Sequence, residues 1–188
     1  MPTPLEILLD PISLCVIGMY ILLFIWENLF PRNKNLPSIK YATFRGITAF
    51  AVFFYLSSYL PLFTDEFLAS YQLFDLSKFA LIVQIGIGLV FYQFIIYVWH
   101  RTLHTSNFLW KVFHQMHHSS EKLDIPSTFY FSPMDMIGFT LLGSFVFALV
   151  MGVNPQAATV IILTLNFLSI FQHDCTSCAL IYGCISTF

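Results

Sequence analysis

Five apolar stretches recur along the chain, separated by short polar segments. They cover residues 12–30, 46–63, 79–99, 136–153 and 156–171. A helix needs about 20 predominantly apolar residues to cross the roughly 30 Å hydrocarbon core of a bilayer. The first three stretches meet this length, and the shorter last two are separated by Asn154-Pro155, which is typical of a tight turn. The pattern therefore predicts an all-α fold, an integral membrane helical bundle of about five spans with a cytoplasmic histidine-rich segment.

The organisation along the chain follows from these stretches. Residues 1–90 are predicted to form N-terminal transmembrane helices, and residues 91–173 form a region that contains every histidine. Residues 174–188 form an atypical tail in which three of the four cysteines are found. The first apolar stretch has neither a basic segment before it nor a small-residue cleavage site after it, so we predict a retained anchor rather than a signal peptide.

Composition agrees with a membrane protein. The chain is 57% hydrophobic and 10% charged, whereas soluble domains carry about 25% charged residues. Only eight lysines and arginines are present, which leaves no basic surface for nucleic acid. We therefore expect a single membrane domain and no nucleic-acid partner.

The basic residues predict the orientation. Lysines and arginines cluster after the first and third stretches, at Arg32, Lys34, Lys40, Arg45, Arg101, Lys111 and Lys122. The loop after the second stretch has only Lys78 among its acidic residues. Because cytoplasmic loops carry the excess of basic residues, these seven are predicted to be cytoplasmic. Counting spans from there places all the histidines on the cytoplasmic side.

The histidines form a compact pattern. Five of the six lie within residues 100–118, as H-x3-H followed by H-x2-H-H. In a helix, residues four apart lie on one face, so His100 and His104 can offer two imidazoles to one ion. Imidazole is the commonest metal-binding side chain and suits iron, zinc and copper. Five imidazoles exceed the needs of one tetrahedral zinc, which leaves either two metals or one metal supported by further histidines.

A single H-x3-H occurs by chance in many helices, and interfacial histidines are often merely solvated. Two adjacent motifs, joined by a sixth histidine that the topology brings to the same side, favour a metal site instead. The predicted ligands are His100, His104, His114, His117, His118 and His173. Three nearby carboxylates, Glu121, Asp124 and Asp135, are interpreted as loop or helix-cap residues.

These motifs resemble the fatty acid hydroxylase/sterol desaturase superfamily. The resemblance rests on WHRTLH at residues 99–104, LWKVFHQMHHS at residues 109–119 and FQH at residues 171–173. It implies a membrane-embedded non-haem di-iron oxidoreductase that hydroxylates or desaturates a lipid in lipid biosynthesis. The implied partners are O2, a lipid such as a sterol or a fatty acyl chain, and an electron-donating reductase of the cytochrome b5 or ferredoxin type. The implied membrane is a bacterial inner membrane or the endoplasmic reticulum.

The chain departs from the superfamily pattern in three places. Residues 174–188 do not resemble the usual continuation, and a further histidine motif is expected beyond them, so we expect a truncated or frame-shifted product. Gln93 stands where many relatives carry an acidic residue. Ser132 stands before a proline where many relatives carry histidine.

Two alternatives remain open from the sequence. Besides an active lipid hydroxylase or desaturase, the chain could be a catalytically inactive truncated fragment of such an enzyme or a non-catalytic membrane metal-binding protein. Transport is disfavoured because it calls for ionisable residues inside the spans, whereas every histidine lies at or beyond a predicted span end. The particular lipid, and the choice between hydroxylation and desaturation, depend on substrate positioning and are not predicted.

Overall fold

The computed structural model describes residues 1–30, 40–120 and 124–173. Of these, residues 172 and 173 are described by their backbone alone. The described chain is helical throughout. Its α-helices are α1 (Pro4–Leu9), α2 (Pro11–Leu29), α3 (Ala42–Ala69), α4 (Leu81–Thr105), α5 (Asn107–Leu109), α6 (Gln115–His118), α7 (Pro133–Ser144) and α8 (Pro155–His173). Two π-helical segments, Trp110–His114 and Phe145–Met151, and two 3-10 turns, Leu76–Lys78 and Ile125–Ser127, complete the set of elements. The predicted all-α fold is confirmed.

Helices of spanning length occur where the apolar stretches predicted them. Within the described residues four are long and apolar enough to cross a bilayer: Pro11–Leu29, Ala42–Ala69, Leu81–Thr105 and Pro133–Met151. The fifth stretch forms a shorter apolar helix, Pro155–Phe171. The main difference lies in α3, which is longer at both ends than residues 46–63 and continues through Pro61. Proline is tolerated in membrane helices because neighbouring groups satisfy the freed backbone.

One end of the bundle gathers the C-terminal end of α2, the N-terminal end of α3 and the segment between α6 and α7. We call this segment, residues 119–132, the connector. A carboxylate oxygen of Glu27 in α2 accepts a hydrogen bond from the Ile125 N–H at 3.0 Å. Ile170, near the end of α8, is buried in the same apolar cluster as Ile125 and Tyr20. The C-terminal end of α8 therefore lies at the same end of the bundle as the connector.

The connector touches the backbone of α3 directly. A Cβ atom on Gly46 would overlap the carbonyl group of Pro126. Only glycine lets α3 approach so closely. The ring of Phe50, one turn further along α3, stacks on that of Tyr20 in α2, with centroids 4.1 Å apart and planes 3° from parallel. Together these contacts hold the connector against both N-terminal spans.

The opposite end is closed by backbone hydrogen bonds. Leu73 and Phe74, which follow α3, donate to the carbonyls of Leu149 and Val150 at 2.7 and 3.0 Å. The turn between α7 and α8 contains Gly152 at φ 55°, a left-handed conformation typical of glycine at a helix C-terminus. The buried Gln84 of α4 accepts from the Asn154 N–H at 2.9 Å. This end therefore fixes the α7–α8 hairpin against α3 and α4.

The two helix glycines Gly46 and Gly86 allow a matched test of the contact with the connector. We expect Gly46→Ala to destabilise the protein by about 1–3 kcal/mol, the usual cost of overpacking. The reason is that its new Cβ meets the Pro126 backbone. Gly86→Ala adds a Cβ with no atom within 4 Å, so it should gain helix propensity and be neutral or stabilising. The measurement is thermal unfolding in detergent, and equal effects of both substitutions would contradict the close approach.

Candidate metal centre

The first histidine pair lies at the end of α4. This helix continues through His100 and His104 to Thr105, so the spacing of four brings both imidazoles to one face, as predicted. Their Nε2 atoms are 3.1 Å apart. Two nitrogens that each lie about 2.1 Å from one ion, at a right angle, are about 3 Å apart. The pair is therefore spaced as two ligands of one ion would be.

The second group is presented by a π-helix. At its end the Gln115 N–H bonds to the carbonyl of Trp110, five residues earlier. This wider turn, Trp110–His114, carries His114 and leads into the short helix α6 with His118. Such turns are rare and are frequently found at functional sites. The imidazole centroids of His114 and His118 are 4.7 Å apart.

The two groups converge on one point. His100, His104, His114 and His118 each offer one ligand nitrogen, and these four atoms lie within 4.8 Å of one another. His114 is fully buried, His100 is partly buried, and His104 and His118 are exposed. The cluster therefore has a closed side towards the bundle and an open side towards the surroundings. Four converging imidazoles can bind a metal ion.

The closed side contains a histidine–carboxylate pair. His114 Nδ1 lies 2.9 Å from Asp135 Oδ2, and neither side chain is exposed. The other ring nitrogen, Nε2, is buried and has no hydrogen-bond partner among the described residues. A buried polar atom without a partner is costly. His114 is one of the four histidines whose ligand nitrogens converge, so a metal ion is a partner that this buried nitrogen could take.

The sequence interpretation of Asp135 as a solvated loop or cap residue is wrong. Its carboxylate is buried against His114, 21 residues earlier in the chain. Cap formation falls instead to Ser132, whose hydroxyl accepts from the Asp135 N–H at 3.1 Å. The cap interpretation holds for Asp124, although it is buried rather than solvated: its side chain accepts from the Ser127 N–H at 3.1 Å. Glu121 lies outside the described residues.

Two predicted ligands, His117 and His173, are not among the four histidines of this group. The imidazole of His117 stacks on the ring of Phe131, with centroids 4.5 Å apart and planes 28° from parallel. Its centroid is 5.4 Å from that of His114. The backbone of His173 ends α8, and its side chain lies outside the described residues. Ligation by these two residues stays a prediction.

An indole covers part of the open side. The ring of Trp110 packs against both exposed imidazoles, with centroids 4.9 Å from His104 and 5.1 Å from His118. Trp110 belongs to the π-helix that carries His114. The wider turn thus supplies both the buried imidazole of His114 and the aromatic ring beside the two exposed imidazoles.

The chain was compared with protein families, curated proteins and solved structures. A family model described as Fatty acid hydroxylase matches residues 85–186, more than half of the 188 residues. The matched range contains all the histidines and Asp135. No curated protein and no solved structure matches the chain. The matched range also includes residues 174–186 of the tail that is predicted from the sequence to be foreign to the fold. These residues lie outside the described part of the structure, so this interpretation stays a prediction.

Two histidine substitutions distinguish the group of four from its neighbour. We expect His114→Ala to weaken Zn²⁺ binding more than about 100-fold, because losing a ligand costs more than losing a ligand's outer partner. His117→Ala should weaken binding at this four-histidine group less than tenfold, because His117 is not one of the four residues whose ligand nitrogens converge. The measurement is competition with a chelating dye on the detergent-purified chain. Equal losses would show that His117 binds the same ion.

Proposed function

The chain belongs to the fatty acid hydroxylase family, and from this premise we propose that it is an iron-dependent oxidoreductase that hydroxylates or desaturates a membrane lipid with O2. The observation that carries the proposal is the buried, partnerless Nε2 of His114 within a group of four converging imidazoles. Family membership supports an oxidoreductase, and the imidazoles support a metal. Iron, the lipid and the reaction are the proposed parts.

The donor set suits iron. Iron, zinc and copper all bind imidazole nitrogen. Zinc has no redox chemistry, so an oxidation by O2 calls for a redox-active metal such as iron. The proposed ligands are His100, His104, His114 and His118. Bound iron supplies the oxidation of an unactivated C–H bond, which amino-acid side chains cannot perform. The family resemblance implies two irons, and His117 and His173 are the further histidines proposed to take part in holding them.

The chain's own residues position this chemistry at the edge of the apolar bundle. His100 and His104 continue the spanning helix α4, so the cluster lies at one end of a membrane segment. The side chains of Phe94, Tyr97 and Val98, within three turns of His104, are exposed on the same helix. In a bilayer this exposed surface is in contact with lipid. A lipid chain lying along α4 can thus bring a carbon atom to the histidines without leaving the membrane.

We further propose that the cluster faces the cytoplasm and receives electrons there from a reductase. The support is the charge bias of the sequence: Arg101 lies between the two histidines of the first pair, and Lys111 lies within the π-helix. Both side chains are exposed, as expected for the cytoplasmic side of a membrane protein. A soluble or membrane-bound electron donor on that side reaches the open face beside His104 and His118.

The proposed function predicts an oxidised lipid that depends on the cluster. Membranes from a host producing the chain should contain a lipid with one added oxygen atom or with two fewer hydrogen atoms. With isotopically labelled dioxygen, an added hydroxyl should carry the label. His100→Ala should abolish the product, because it removes one of four ligand nitrogens. The measurement is mass spectrometry of extracted lipids.

The iron content of the same purified protein separates the alternatives. Iron bound by the chain without any O2-dependent lipid product would favour a non-catalytic metal-binding protein. A product that persists in His100→Ala would show that a host enzyme makes it. The result expected of the enzyme is that wild type has both iron and product and that His100→Ala has lost both.

A further inference from the structure

We propose that Asp135 is a positioning residue for the metal centre. Its carboxylate holds the His114 imidazole so that Nδ1–H donates to Oδ2 and Nε2 faces the other three histidines. The proposal rests on the proposed function only in that the cluster binds a metal ion. The proposal adds Asp135 to the four histidines as a residue of the metal centre. Asp135 belongs to α7 and not to either histidine motif.

The geometry fixes the tautomer of His114. A neutral imidazole has one N–H and one lone pair, and the hydrogen bond made by one nitrogen decides which nitrogen holds the lone pair. In the proposed arrangement Asp135 is ionised and only accepts hydrogen bonds, so His114 Nδ1, which lies 2.9 Å from Asp135 Oδ2, carries the proton. The lone pair is therefore on Nε2, which is the buried atom without a partner. Metal-binding histidines typically bond a carboxylate or carbonyl in this way.

The burial of Asp135 calls for a nearby cation. The side chain is fully buried in the first turn of an apolar spanning helix. Its second oxygen, Oδ1, has no hydrogen-bond partner among the described residues. A buried carboxylate is costly unless it is paired with a positive charge or fully hydrogen-bonded. An ion held by His114 Nε2 places positive charge one imidazole away from Oδ2 and offsets this cost.

Ser132 ties Asp135 to the same π-helix that carries His114. Its hydroxyl donates to the carbonyl of Phe113 at 2.6 Å. The carbonyl of Val112 lies 3.1 Å from the same hydroxyl. The same hydroxyl accepts from the Asp135 N–H. The start of α7 therefore contacts both the backbone beside His114 and its ring. Ser132 is the N-cap residue of α7, so the Asp135 carboxylate is not required as a helix cap.

The test measures Co²⁺ binding by the full detergent-purified chain, because Co²⁺ reports its coordination in its visible spectrum. We expect Asp135→Asn to weaken Co²⁺ binding by about 10- to 100-fold, as loss of such an outer partner does, and to alter the spectrum. The metal-free variant should unfold at a temperature no lower than wild type, since the substitution removes a buried charge that no ion balances. Asp135→Glu, which retains the carboxylate on a longer stem, should recover part of the affinity.

Asp124→Asn is the matched control. Asp124 is also a buried aspartate, and it lies 11 residues before Asp135. Its side chain caps the 3-10 turn Ile125–Ser127 by accepting a hydrogen bond from the Ser127 N–H. Its substitution should lower the unfolding temperature and leave the Co²⁺ affinity and spectrum unchanged. If Asp135→Asn behaves like Asp124→Asn, or binds Co²⁺ as wild type does, Asp135 is structural and the proposal is overturned. If wild type itself binds no Co²⁺, both this proposal and the proposed function fail.

Discussion

The hydrogen bond between His114 and Asp135 is the interaction on which the rest of the site depends. It joins the π-helix to α7 across 21 residues of sequence, and both side chains are fully buried. A carboxylate cannot remain unpaired in an apolar helical bundle, so the pair fixes how closely the histidine segment approaches the hairpin. The pair joins the π-helix to the start of α7, while Glu27 and Gly46 hold the connector against the N-terminal spans. His114 belongs to this pair and to the four-imidazole group, so the group depends on the same arrangement.

The N-terminal spans contribute to the site although they lie before the residues that the family model matches. α2 supplies Glu27, whose carboxylate accepts from the connector backbone. α3 supplies Gly46, where the absence of a side chain lets the connector touch the helix. The connector in turn presents Phe131 to the ring of His117. The spans are therefore a support for the metal centre as well as a membrane anchor.

Sequence patterns predicted the parts of this structure that depend on local spacing. The apolar stretches located the spanning helices, and the H-x3-H spacing placed His100 and His104 on one face of α4 because neither depends on the rest of the fold. The π-helix was not predicted, because its register is set by contacts with α7 rather than by its own residues. Asp135 was misread for the same reason: its partner is distant in sequence, and its position in a first helical turn is typical of a cap. No local signal distinguishes His117, which faces an aromatic ring, from His118, which joins the cluster.

The buried carboxylates also constrain how the protein is assembled in the membrane. Glu27 belongs to the first long span and is synthesised almost a hundred residues before Ile125, the backbone group to which it bonds. Asp135 is made after its partner His114, but at the start of a hairpin that must still enter the bilayer. These two helices therefore enter with a polar group whose partner is absent or not yet in place, and insertion favours keeping these groups at the interface. The metal centre is expected to close only after the last hairpin has entered, so the order of synthesis delays the reactive site until the surrounding bundle exists.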